Sequence, residues 1–221
     1  MIIATLLLCP VYVHAINKCV DDKGNVSFQD KPCKADQTAE TVSIAENRDS
    51  ENLDNLTPVY VKIPGVGEGA MFSYRWWDAQ IIQPDPAMPP TVKMKARPGE
   101  EPISFSMTFI PNKLGKAVSV EESAETVYDM AARYAAGSVE QEVQLETLDT
   151  TIGPAIYASF NEAQYEDAPV PEGEFFSITV GQAAHSRIVV GFTILTNGTD
   201  STALTEALNI IGSFQIMASA Q

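Results

Sequence analysis

The sequence predicts an α+β fold: an antiparallel sheet with two packed helices, preceded by a small disulfide-closed β-hairpin. Ile103-Ser104-Phe105-Ser106-Met107-Thr108-Phe109 alternates strictly between apolar and polar residues, the mark of a half-buried strand. Ser119–Ala136 and Asp200–Ile211 carry apolar residues at helical spacing. The order of elements is strands, a helix, four strands and a second helix, which packs helices on an antiparallel sheet rather than building alternating βαβ units.

The length of 221 residues suits one medium domain with an appendage, or two small domains. An apolar fraction of 45% is that of a globular chain. The net charge of −15 is unevenly placed, because Arg187 is the only Lys or Arg after Arg133, against eleven Asp and Glu. Nucleic acid and anionic lipid reward a basic surface, so neither is expected as a partner. The acidity itself is expected to serve solubility.

Met1–Ala15 (MIIATLLLCPVYVHA) is an uncharged apolar run ending in Val13-His14-Ala15. It reads as a signal peptide with cleavage after Ala15. As a helix it would reach about 22 Å, short of the roughly 30 Å hydrocarbon core. Leu6-Leu7-Leu8 lacks the small residue that precedes a lipidated cysteine, which argues against Cys9 as an anchor. No later segment is long and apolar enough for stable membrane insertion. The expected location is periplasmic or secreted.

Between Cys19 and Cys33 runs CVDDKGNVSFQDKPC, with a turn signal at Lys23-Gly24-Asn25 and strand formers Val20, Val26 and Phe28 around it. A lone hairpin buries too little to hold itself together. In an oxidising compartment Cys19 and Cys33 are expected to pair, which in the chain-entropy account is worth about 3 kcal/mol. Two thiols with no nearby His or third Cys do not complete a metal tetrahedron.

Ile16-Asn17-Lys18-Cys19, Asp21, Gly24-Asn25-Val26, Phe28, Asp30 and Pro32-Cys33 resemble a short module at the start of many exported proteobacterial proteins, catalogued as a domain of unknown function. The resemblance covers Ile16 to about Lys34. It implies an envelope location and a disulfide hairpin, and no activity. Ala35–Thr57 is polar and acidic without apolar periodicity, and reads as a flexible linker. The expected organisation is therefore signal peptide 1–15, hairpin module 16–34, linker 35–57 and α+β domain 58–221.

Within that domain, Val59–Ile63 and Ala70–Trp77 are strand candidates around a glycine-rich turn, and the proline-rich Gln83–Arg97 reads as a loop. The first helix opens with a capping box at Ser119-Val120-Glu121-Glu122 and stops at Gly137. Gln144–Leu148, Ala155–Phe160, Phe175–Gln182 and Arg187–Thr196 follow as strands, the last two joined through Ala183–Ser186. Asp200 is the expected cap of the second helix, Gly212 its breaker, and Phe214–Met217 a closing strand. The closing stretch, a strand pair followed by LTEALNIIGSFQI, resembles the PsbP-like α/β/α fold, whose members share shape rather than a common site.

Chemistry is sparse. Pro64-Gly65-Val66-Gly67-Glu68-Gly69 lacks the helix and the Lys-Ser/Thr of a nucleotide loop and reads as a strand-connecting turn. His185 is the only histidine after the signal segment and has no nucleophile but its chain neighbour Ser186, so no catalytic residue is assigned. The acidic run Glu162, Glu166, Asp167, Glu172 and Glu174 lacks the spacing of a calcium loop, and no metal or cofactor is expected. Tyr74, Trp76 and Trp77, with Phe72, are the candidate ligand-binding residues. Adjacent strand residues face opposite ways, so one tryptophan should pack in the core while the other stays at the edge. The expected role is a non-enzymatic envelope protein acting through an unidentified envelope protein. The alternative is a small ligand or glycan held near Trp76 and Trp77.

Overall fold

The computed structural model describes residues 16–20, 26–29, 33, 38–44, 55–113 and 115–217. The expected signal peptide 1–15, the hairpin turn at 23–25 and parts of the expected linker lie outside them.

Strands β1 (Ile16–Val20) and β2 (Val26–Gln29) pair antiparallel, with Val20 opposite Val26. Strand β3 (Thr38–Ile44) lies inside the stretch expected to be a linker. It pairs antiparallel with β1. Its sequence TAETVSI holds four β-branched residues in seven, a strand preference that the surrounding acidic composition concealed.

The first strand of the α+β part begins at Leu56 and runs through Pro58. Strands β4 (Leu56–Ile63) and β5 (Gly67–Tyr74) form a hairpin through a turn in which Gly65 takes φ +73° and Gly67 φ +128°. Strands β6 (Trp77–Ile82) and β7 (Thr91–Ala96) follow as an antiparallel pair. Thr91–Ala96 corrects the expectation of a loop over Gln83–Arg97. Val92 and Met94 are buried while Lys93 and Lys95 are exposed, a strand alternation obscured by the neighbouring prolines.

Strand β8 (Ser104–Pro111) precedes helix α1 (Val120–Ala135), and strands β9 (Glu146–Leu148), β10 (Ala155–Asn161), β11 (Ser177–Ala184) and β12 (Ile188–Thr196) come next. Helix α2 (Thr202–Ser213) and strand β13 (Gln215–Ile216) close the fold. The cap of α2 is Ser201, not Asp200, and Gly212 lies within the last helical turn.

The main sheet runs β9-β10-β11-β12-β8-β7-β6 in antiparallel order. At the β9 edge, Ser43 and Ile44 of β3 pair parallel with Glu146 and Thr147. A second sheet, β13-β5-β4, was not foreseen. Helix α1 buries Ala124, Val127, Ala131 and Ala135 against Ile156, Ala158, Phe160 and Val180 on one face of the main sheet. The other face supplies Phe105, Met107 and Phe109 of β8 and Val190, Phe192 and Ile194 of β12. Those residues pack against α2 and the inner side of the small sheet, including Val61, Ile63, Met71, Leu204 and Phe214. The observed α+β architecture is thus an antiparallel sheet covered on its two faces by different partners.

Candidate functional site: an acid-lined cleft over Trp76

Strand β5 ends at Tyr74 and β6 begins at Trp77, so Arg75 and Trp76 form a turn. The expectation of one strand running through Trp77 is corrected here. Two backbone bonds hold the turn: the Arg75 N–H donates to the Asn55 carbonyl at 2.9 Å, and the Arg97 N–H to the Trp76 carbonyl at 2.9 Å.

The two indoles separate. Trp77 is 4% exposed and meets Phe105 edge-on, with centroids 6.3 Å apart. Trp76 is only half-buried and stacks on Tyr74 at 5.0 Å and 27°. Tyr74 is itself 6% exposed, and its hydroxyl accepts a hydrogen bond from Asn209 Nδ2 at 3.3 Å. Tyr74, Trp76 and Trp77 are therefore brought together, with Trp76 the one left accessible. Phe72 is 38% exposed, in the middle of β5.

Trp76 and Trp77 line a cleft of about 230 Å³ with Glu100, Glu101, Thr202, Ala203 and Glu206. The Trp76 Nε1–H donates to Glu206 Oε2 at 3.1 Å. Glu101 Oε2 accepts the Ala203 N–H at 3.3 Å, and Ser201 Oγ accepts the Leu204 N–H at 3.1 Å. The Glu101 carboxylate, which comes from the loop before β8 and sits at the N-terminus of α2, is stabilised there by the helix dipole. Among the described residues that line the cleft, three are carboxylates and none is basic, and they sit beside an indole whose stacking on Tyr74 covers one of its sides. A cation placed there meets both the carboxylates and the negative face of an aromatic ring, an arrangement worth roughly 0.5–2 kcal/mol for the ring alone. Glu100, Glu101 and Glu206 were not singled out in the sequence. Among 29 acidic residues, a Glu-Glu doublet and a helical Glu a hundred positions later carry no local signal.

The remaining candidates have structural partners. His185 Nδ1 accepts the Arg187 N–H at 3.3 Å, within its own turn. Pro64–Val66 is the β4–β5 turn, as its composition suggested. In the acidic stretch, Ala163–Tyr165 forms one 3-10 turn and the Tyr165 hydroxyl donates to the Glu174 carboxylate. Among the described residues, no three His, Cys, Asp or Glu side chains gather as a metal cluster. No helix among them is long and apolar enough to cross a membrane.

Residues 3–51 match a domain of unknown function (DUF4124). The match spans the stretch 16–34 whose motif resembles such a module, and it ends before strand β4 at Leu56. No curated protein and no solved structure matches the chain.

Proposed function

We propose that this is a non-enzymatic cell-envelope protein whose α+β body is a binding module, and that the cleft over Trp76 receives a positively charged group. The supporting observation is the lining itself: Trp76 with Glu100, Glu101 and Glu206, and no basic residue among the described residues. The partner that fits is an envelope protein presenting a Lys or Arg side chain, with a small amine satisfying the same chemistry. A neutral glycan stacked on Trp76 is the second reading, since the carboxylates also accept hydroxyl hydrogen bonds.

The amino-terminal part belongs to the same proposal. Export is supported by the apolar Met1–Ala15 run, and residence in the periplasm follows from it. A Cys19–Cys33 disulfide is supported by the sulfur–sulfur bond at Cys33 and by the hairpin pattern between the two positions. Non-reducing peptide mapping should recover the linked pair, whereas two alkylatable thiols in protein from an oxidising compartment would contradict it. The PsbP-like likeness rests on the β11–β12 pair followed by α2 and β13.

Calorimetric titration tests the binding reading. A lysine- or arginine-containing peptide should bind, with affinity falling as salt rises. Binding of a neutral oligosaccharide without salt dependence would favour the glycan instead, and binding of neither would remove the site.

A further inference from the structure

A second cleft, of about 420 Å³, has the opposite character. It is lined by Thr151, Ile152, His185, Arg187, Gln215, Ile216 and Met217. In a chain of net charge −15, no carboxylate lines it among the described residues, and it gathers the only Arg and the only His that follow Arg133. Three separate segments build it: the turn before β10, the β11–β12 turn and the closing strand β13.

The polar groups point one way chemically. His185 Nδ1 accepts the Arg187 N–H at 3.3 Å, which puts the ring proton on Nε2 and makes that nitrogen a donor. The Arg187 guanidinium gives one N–H to the Val66 carbonyl and keeps its charge and its remaining donors. The Thr151 hydroxyl is spent on the Phe214 carbonyl. Ile152, Ile216 and Met217 supply a short apolar wall. A planar donor fork beside an imidazole N–H matches a carboxylate, and the wall matches one apolar side chain rather than a long acyl tail. Strand β13 is the outer strand of the small sheet, so its backbone offers an edge to an extended chain.

We propose that this cleft binds the C-terminal carboxylate of a peptide ending in an apolar residue. The two clefts then make the body a bifunctional binder, one site for a cation and one for a carboxylate.

The test is an amide NMR titration of the full protein with N-acetyl-Ala-Leu, with its C-terminal amide and with decanoate. The dipeptide acid should shift the amides of Thr151, Ile152, His185, Arg187 and Ile216, and the dipeptide amide should bind at least tenfold more weakly. Arg187→Gln should weaken the acid tenfold or more, and His185→Ala severalfold. The acid–amide comparison uses unmodified protein, so it decides the matter even if Arg187→Gln loosens the turn held at Val66. Equal binding of acid and amide, no shifts at these residues, or a response to decanoate alone would overturn the proposal.

Discussion

Trp76 Nε1–H donates to Glu206 Oε2 at 3.1 Å across 130 residues of sequence, and this bond joins the β5–β6 turn to helix α2. It closes one side of the acid-lined cleft and fixes the edge that the indole presents to it. Glu206 is therefore both a wall of the site and a positioning group for Trp76.

The close packing around Gly181 in β11 predicts a sharp contrast between two glycines. A Cβ on Gly181 would stand 2.2 Å from the Phe192 ring and 2.6 Å from the Ile156 carbonyl oxygen. A backbone oxygen does not move aside, so Gly181→Ala should lower stability by about 1–3 kcal/mol or more. Gly191→Ala on the neighbouring strand meets nothing within 4 Å and should be nearly neutral. Denaturant melts of the two variants measure the difference.

Helix α2 closes the larger core, with Leu204, Leu208, Ile210 and Ile211 buried. Leu208→Ala should cost about 2–5 kcal/mol, a large share of a small domain's stability. A helical wheel puts Asn209 on the far face, but its amide donates to the Tyr74 hydroxyl at 3.3 Å, so it is not a neutral control. Thr205, which is exposed, takes that place, and Thr205→Ala should shift the thermal midpoint little.

The start of α1 carries a reciprocal cap. Ser119 Oγ accepts the Glu122 N–H at 3.1 Å, and the Ser119 N–H donates to Glu122 Oε2 at 2.9 Å. Ser119→Ala should cost about 1 kcal/mol. The Ser119 backbone N–H, followed by Lys116, holds the Glu122 carboxyl below its ordinary value. Its stabilisation is thus complete above the usual carboxylate range and lost as pH falls through the depressed folded value. On acidification, wild type should lose stability relative to Glu122→Gln, which cannot titrate, and thermal melts across that range should show the two converging.

The sequence made the periodic elements legible. Strand β8 and both helices were visible because each buries one clean face, and the capping box named its own position. Strand β7 was not, because Pro86, Pro89 and Pro90 precede its six residues and dominate the local composition. Strand β3 was hidden by its acidic surroundings in the same way. Trp76 and Trp77 were correctly divided into one edge and one core residue, although the cause is a turn rather than strand alternation. The carboxylates around Trp76 were invisible because they converge only when α2 packs beside the Glu100–Glu101 loop, a long-range event with no local signature.

The most direct test of the binding site uses the fact that Trp76 and Trp77 are the only tryptophans in the chain. Two indole N–H resonances are expected, assigned with Trp76→Phe, and titrated with a short arginine-containing peptide. The account predicts that the Trp76 signal moves and saturates while the buried Trp77 signal moves little, and that Glu206→Gln weakens the response. A Trp76 resonance that stays fixed, or that responds equally to an uncharged peptide, would contradict the claim that this cleft receives a cation.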